Sequence, residues 1–224
     1  MTKTYELHHI KDQSWTKNNV YIIADKKTKK AAIVDPACSL NQINDVIKSH
    51  ALTVETILLT HTHPDHIRSV DSLVNQHNCK FYVSRKEANF YSYHCKNIQL
   101  FDDGDLIHLG HTPIKCILTP GHTSGSACFL LENSLFTGDT IFMEGCGLCT
   151  APGGSAVDMF HSIAKIKHQV PDSVLVYSGH TYNEESGQSL AYLKKNNIYF
   201  NIPDKESFVE FRMRKKQTNL FTFK

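Results

Sequence analysis

An α/β fold is the class this sequence predicts, and three observations carry the prediction. Short apolar runs with strand-like alternation or β-branched residues recur along the chain. Between them lie stretches with apolar residues at helical spacing, often preceded by a capping residue. Strand clusters and helices alternate in two halves, one on each side of about residue 110, with no Pro/Gly/Ser-rich linker and no low-complexity segment between them. The 224 residues therefore read as one α/β domain spanning 1–224 rather than two independent ones. Periodicity leaves open whether the strands form one sheet or two.

Taken in order, "TYELHHI", "NVYIIAD" and "KAAIVDP" read as strands, with the "KKTKK" stretch between the second and third as a solvated hairpin tip. "SLNQINDVIKSH" opens with a Ser cap and continues at helical spacing. "VETILLT" is a buried strand. "PDHIRSVDSLVNQHN" reads as a helix, since Pro64 suits a first turn and Asp65 suits a helix N-terminus. "KFYVS" is a strand, "RKEANFYSYH" a helix and "IKCILTP" a strand. "SACFLLEN" and "SLFTGDT" form two strands joined by a tight polar turn. "SAVDMFHSIAKIKHQ" is helical and "SVLVYSGH" a strand, with two further helices near 184–196 and 205–216.

Composition narrows the classes. There are 24 Lys and Arg against 22 Asp and Glu, so nothing in the charge points to nucleic acid. The opening "MTKTYELHHI" lacks the basic start and apolar stretch of a signal peptide, and no apolar run approaches membrane-spanning length. Seven scattered cysteines, an odd number, read as free thiols in a reducing compartment, so a cytoplasmic protein is expected. Fourteen histidines are the departure from the ordinary.

Three of those histidines fall in His61-Thr62-His63-Pro64-Asp65-His66, directly after an apolar strand. The first histidine ends the strand, the second lies in the turn, and Asp65 and His66 open the predicted helix. A rigid strand-to-helix corner presents four potential ligands together, which suits a preorganised metal site. Three later strand ends repeat the pattern: His122 in "LTPGHTSGS", Asp139 in "LFTGDT" and His180 in "VYSGH". Loops at strand ends are where α/β scaffolds place their chemistry. Five histidines and two aspartates suffice for two adjacent metal ions with one carboxylate bridging, and zinc, iron or manganese all accept imidazole with carboxylate oxygen. The other nine histidines (His8, His9, His50, His77, His94, His108, His111, His161 and His168) lack such a setting and read as surface or structural.

The series "THTHPDH", "PGHTSGS", "FTGDTIF" and "SGHTY" resembles the metallo-β-lactamase superfamily, and within it the glyoxalase II-like hydrolases, from about Asn19 to Tyr182. The resemblance implies an αββα sandwich of two mixed sheets with the site at one edge. It also implies a ligand assignment: His61, His63 and His122 on one metal, Asp65, His66 and His180 on the second, and Asp139 bridging. "HHIKDQSWTKNNVYII", "MEGCGLCTAPGGSAVDMF", "NNIYF" and the tail "FVEFRMRKKQTNLFTFK" are similar to the zinc-dependent hydrolases encoded with trans-acyltransferase polyketide synthases of the bacillaene type. That likeness implies two zinc ions and cleavage of acyl thioesters on acyl carrier proteins, with a water shared by the two metals as nucleophile. Asp65 is then a proton shuttle as well as a ligand. Tyr182 is a candidate donor to the oxyanion or to an amide of the substrate's arm.

Departures shape the expectation of substrate. Glutathione-specific members carry a cation after the "GCG" that follows the metal-binding aspartate, and an appended helical domain; here that position is Leu148, a candidate substrate contact, and the chain ends at 224. Related persulfide dioxygenases use a single iron and continue after "GCG" with Arg and an acidic residue, where this chain has Leu148-Cys149-Thr150. Cys146 and Cys149 form a lone CxxC, read as plain loop thiols lining the pocket. Arg68 reads as facing solvent. Arg212, Arg214, Lys215 and Lys216 form a basic cluster beside Phe208 and Phe211, either the solvated face of a last helix or a surface that meets an acidic carrier protein.

Overall fold

The computed structural model describes residues 3–12 and 16–215. Strands β1 (Tyr5–Lys11), β2 (Asn19–Asp25) and β3 (Lys30–Val34) form an antiparallel meander. The exposed 26–29 turn closes its β2–β3 hairpin, as the lysine-rich stretch predicts. Helix α1 (Leu40–Ser49) then crosses to β4 (Thr53–Leu58), α2 (Val70–His77) to β5 (Lys80–Ser84), and α3 (Arg85–Tyr91) leads to β6 (Ile98–Phe101). These strands line up in numerical order as one six-stranded sheet, parallel from β3 onward.

The second sheet is also six-stranded, in the order β12-β11-β10-β9-β8-β7. It is built from β7 (Leu106–Leu109), β8 (Thr112–Leu118), β9 (Ala127–Leu130), β10 (Ser134–Gly138), β11 (Leu175–Ser178) and the short β12 (Gln188–Ser189). Helix α4 (Ala156–Gln169) makes the crossover between the parallel neighbours β10 and β11. Helices α5 (Leu190–Asn196) and α6 (Lys205–Arg212) close the chain, with a 3-10 turn at Ile198–Phe200 between them.

Side-chain alternation explains why the two sheets stack. Along β2, Val20, Ile22 and Ala24 join a core with Ile43 and Ile47 of α1 and Val70, Leu73 and Val74 of α2. Tyr21 and Ile23, on the opposite face, join a middle core with Phe129, Phe136 and Ile114 of the second sheet. A third core packs that sheet's outer face on Met159, Ile163 and Ile166 of α4, Leu193 of α5 and Phe208 of α6. Three apolar layers between four structural layers give the αββα sandwich of two mixed sheets that the sequence resemblance implies.

Three expectations are corrected. The helix read from Pro64 begins at Val70, and 64–69 is a run of tight turns. There the His66 amide donates to His63 O at 2.9 Å, and Ser69 is tied to the loop after β3 through Pro36 O and Cys38 O. Within those turns His66 is fully buried. Arg212 is 2 % exposed, with its guanidinium on the Tyr199 hydroxyl at 2.7 Å, so it belongs to the interior under α6 and not to a docking surface. Lys216 lies outside the described residues. Cys146 and Cys149 are buried in the third core rather than lining a pocket, and burial pushes the Cys149 thiol up to about 12. Strands β6, β7 and β12 are absent from the sequence reading. Arg68 is exposed, 3.9 Å from Asp12.

Candidate functional site

The C-terminal ends of β3, β4, β8, β10 and β11 meet at one edge of the sandwich, and every residue singled out as a metal ligand lies there. His61 and His63 follow β4, Asp65 and His66 lie in the turns after it, His122 is in the β8–β9 loop, Asp139 follows β10, and His180 follows β11. Candidate ligand atoms of His61, His63 and His122 lie within 4.8 Å of one another, and so do those of Asp65, His66 and His180. Asp139 sits between the trios, its carboxylate 3.5 Å from His122 Nε2 and 3.4 Å from both His66 Nε2 and His180 Nε2. The approach requires Gly179: a Cβ there would lie 2.5 Å from Asp139 Oδ1 and 2.9 Å from the His66 ring.

Each imidazole is turned by what its outer nitrogen touches. His122 Nδ1 donates to Leu148 O at 2.7 Å and His180 Nδ1 to Thr16 O at 2.7 Å. Asp35, at the end of β3, sets two more. Its Oδ2 accepts from His66 Nδ1 at 3.0 Å and from Thr60 Oγ1 at 2.6 Å. With its proton given to Asp35, the Thr60 hydroxyl accepts from His61 Nδ1 at 3.0 Å. These bonds fix a proton on Nδ1 of His61, His66, His122 and His180 and aim each Nε2 at the centre.

That centre fits metal ions. His61 Nε2 and Asp139 Oδ1 are buried with no hydrogen-bond partner. His66 Nε2 lies 3.2 Å from His180 Nε2, and His122 Nε2 lies 2.9 Å from His63 Nδ1. Ring nitrogens and carboxylate oxygens converging in a buried place need positive charge among them, from a metal ion or, without one, from protons. Electrostatics divide the cluster. Burial pushes His122 down to about 4 and His61 well below the usual range, so the first trio is neutral imidazole ready to ligate. Burial acts the same way on His66 and His180, but Asp139, joined by Asp35 at His66 and by the Thr16 carbonyl at His180, outweighs it and holds both above the usual range, so without a metal they carry the proton that an ion would replace. Burial would raise Asp139 in turn; His180 and His66 outweigh it and keep the carboxylate ionised.

Tyr182 stands at the mouth, its ring stacked 5.9 Å from that of His180 and edge-on at 5.1 Å to Phe142. Burial, then the charges of Asp139, Asp65 and Glu144, keep its phenol protonated, so it is a donor. Leu148 is half-buried, and its carbonyl orients His122. Asp65 is the most open carboxylate of the group at 33 %, and Asn18 Nδ2 donates to its Oδ2 at 3.1 Å.

A model of the metallo-beta-lactamase superfamily matches residues 14–180. The chain belongs to that superfamily. Among curated members of the superfamily, the chain is 47 % identical over 226 residues to the "Probable polyketide biosynthesis zinc-dependent hydrolase BaeB" of Bacillus velezensis, with 100 % of both chains covered. It is 44 % identical, again over 100 % of both chains, to the "Probable polyketide biosynthesis zinc-dependent hydrolase PksB" of Bacillus subtilis. Among solved metallo-beta-lactamase folds, ETHE1 from Myxococcus xanthus superposes with a TM-score of 0.84 at 27 % identity, covering 96 % of this chain and 92 % of that one.

Sequence reading did not single out Asp35, Asn18 or Glu87, all buried beside the candidate ligands or the residues next to them. The signal for Asp35 was available: "IVDP" ends a strand with an acid, as "FTGD" does. Asn18 and Glu87 carry no comparable mark.

Proposed function

We propose that this chain is a zinc-dependent hydrolase of polyketide biosynthesis that cleaves acyl thioesters held on an acyl carrier protein, with two zinc ions in the edge site. The observation that carries the reading is the pair of candidate ligand trios joined by Asp139, with the outward nitrogens of His61, His66, His122 and His180 fixed by hydrogen bonds so that their Nε2 atoms converge. The names of the full-length relatives in Bacillus velezensis and Bacillus subtilis support zinc and polyketide biosynthesis. Leu148, at the position where glutathione-specific members carry a cation, supports a carrier other than glutathione.

His61, His63 and His122 would hold one ion, Asp65, His66 and His180 the other, with Asp139 shared. Metal ions held this way supply Lewis acidity toward a carbonyl oxygen and a water acidified toward neutral pH. The protein's own groups do the rest. The ionised Asp139 keeps the two trios at a fixed spacing. Asp65, held by Asn18 and the most open of the carboxylates, passes a proton between the site and solvent. Tyr182, its phenol kept protonated, donates a hydrogen bond to the developing oxyanion or to an amide of the carrier's arm. A thiolate leaves without a strong general acid.

The test presents one acyl group to the zinc-loaded protein on a carrier protein and, separately, on glutathione, and reads thiol release together with metal content. Faster release from the carrier and about two metals per chain are expected. Preference for glutathione would make this a glyoxalase II-like thioesterase instead. A single iron with no thioester cleavage would point to the persulfide dioxygenases.

A further inference from the structure

We propose that Glu87 is a positioning residue for the His61, His63 and His122 trio, its carboxylate clamping together the two loops that carry those histidines. The inference rests on the reading of that trio as a metal site.

Ser84-Arg85-Lys86-Glu87 has the Ser-x-x-Glu spacing of a capping box, in which the glutamate folds back onto the cap's own amide. Only half of that box is present. The Glu87 amide donates to Ser84 Oγ at 3.0 Å, but the carboxylate is turned away to other partners. Oε1 accepts from Thr62 N at 2.8 Å and Thr62 Oγ1 at 2.9 Å. Oε2 accepts from Thr123 Oγ1 at 2.8 Å and Gly125 N at 2.8 Å. Thr62 lies between His61 and His63, and Thr123 follows His122. One side chain thus joins a loop of the first sheet to a loop of the second, at the residues that alternate with the ligands.

The seat is built for this contact. Ser84 Oγ donates to Gly125 O at 2.6 Å, and a Cβ on Gly125 would lie 2.1 Å from Glu87 N, so only glycine lets the first turn of α3 come this close. Glu87 is fully buried, and its four hydrogen bonds come from neutral donors. A buried carboxylate so placed is costly unless positive charge lies near. A cation held by the adjacent histidines supplies it, and Glu87 is already within electrostatic reach of His63.

Cobalt(II) is the probe. Metal-free wild type, Glu87→Gln and Thr123→Val are titrated with it, both affinities are taken by chelator competition, and the visible bands are recorded. The bands lost in His122→Ala identify the first site. In Glu87→Gln an amide NH2 replaces one acceptor oxygen and releases one loop. The expected result is a 10- to 100-fold weaker first site, the range for outer partners of metal ligands, with altered first-site bands and a second site within about threefold of wild type. Thr123→Val keeps the charge, removes one donor and shifts the same site by a smaller factor; it carries the test if the glutamine variant does not fold. Unchanged first-site affinity and bands in a folded variant would overturn the inference and leave the proposed function standing. So would equal loss at both sites in step with lost stability of the metal-free chain. A wild type that binds no cobalt would overturn both readings.

Discussion

Asp35 has φ +45°, a backbone region that Asp and Asn tolerate better than most residues, and its carboxylate reaches two histidines of different trios, His66 directly and His61 through Thr60. Asp35→Asn keeps the backbone preference but turns one acceptor into a donor facing an N–H or O–H group. Metal affinity is expected to fall 10- to 100-fold, and the metal-free chain to lose about 1–3 kcal/mol in urea unfolding, the cost of a buried donor left unmatched. Wild-type metal affinity in that variant would remove Asp35 from the site. The seven ligand candidates were legible in the sequence because histidines and aspartates at strand ends are conspicuous. Of the groups that orient them, Asp35 alone carries a strand-end mark; a main-chain carbonyl of Leu148 or Thr16 and a threonine hydroxyl leave no pattern in sequence.

At the scale of elements, legibility followed how local the forces are. The Ser cap predicted for α1 is present and is half of a complete capping box: Ser39 Oγ lies 3.4 Å from Gln42 N, and Gln42 Oε1 accepts from Ser39 N at 3.2 Å. Because the Ser39 side chain bonds Gln42 and no candidate ligand, Ser39→Ala is expected to cost about 1 kcal/mol of stability in urea unfolding while leaving metal affinity within about twofold; a larger change in affinity would mean that α1 reaches the site. Helix α2 misled because Pro64 and Asp65 are good first-turn residues locally, yet packing of His66 on Asp35 and Asp139 delays the helix to Val70. Strands β6 and β7 are edge strands of only 4 residues each, and they expose Leu100 and Leu106, so an apolar alternation does not stand out in sequence. In α6 the basic run promised a solvated face, but Tyr199 offers Arg212 both a hydroxyl and a ring, the ring centroid 5.6 Å away, and tertiary contact overrides the charge pattern. Arg214 and Lys215 stay exposed.

The whole molecule depends on holding two sheets in register, since the ligands come from strand ends in both. The alternation into two halves was visible in sequence; the division into two sheets was not, because a buried strand reads the same whichever sheet it joins. One tie between the sheets is titratable. Asp25, at the end of β2, is fully buried and accepts from Thr112 Oγ1 at 3.0 Å and His111 N at 2.9 Å in the second sheet, as well as from Thr28. Burial works to raise its pKa, but the hydrogen bonds from Thr28, Thr112 and His111 together outweigh it and bring the carboxyl down to about 2. A carboxyl whose folded pKa lies below its unfolded value of about 3.9 adds stability that is fully present above that value and is lost as pH falls through the folded one. The prediction concerns the gap in unfolding free energy between wild type and Asp25→Asn, both metal-free so that ligand protonation does not enter through metal release. That gap is expected to stay constant down to about pH 4 and to close toward about pH 2. A gap unchanged across that window would mean that Asp25 does not join the sheets as a charged acceptor, leaving the apolar middle layer to hold the two halves of the site together.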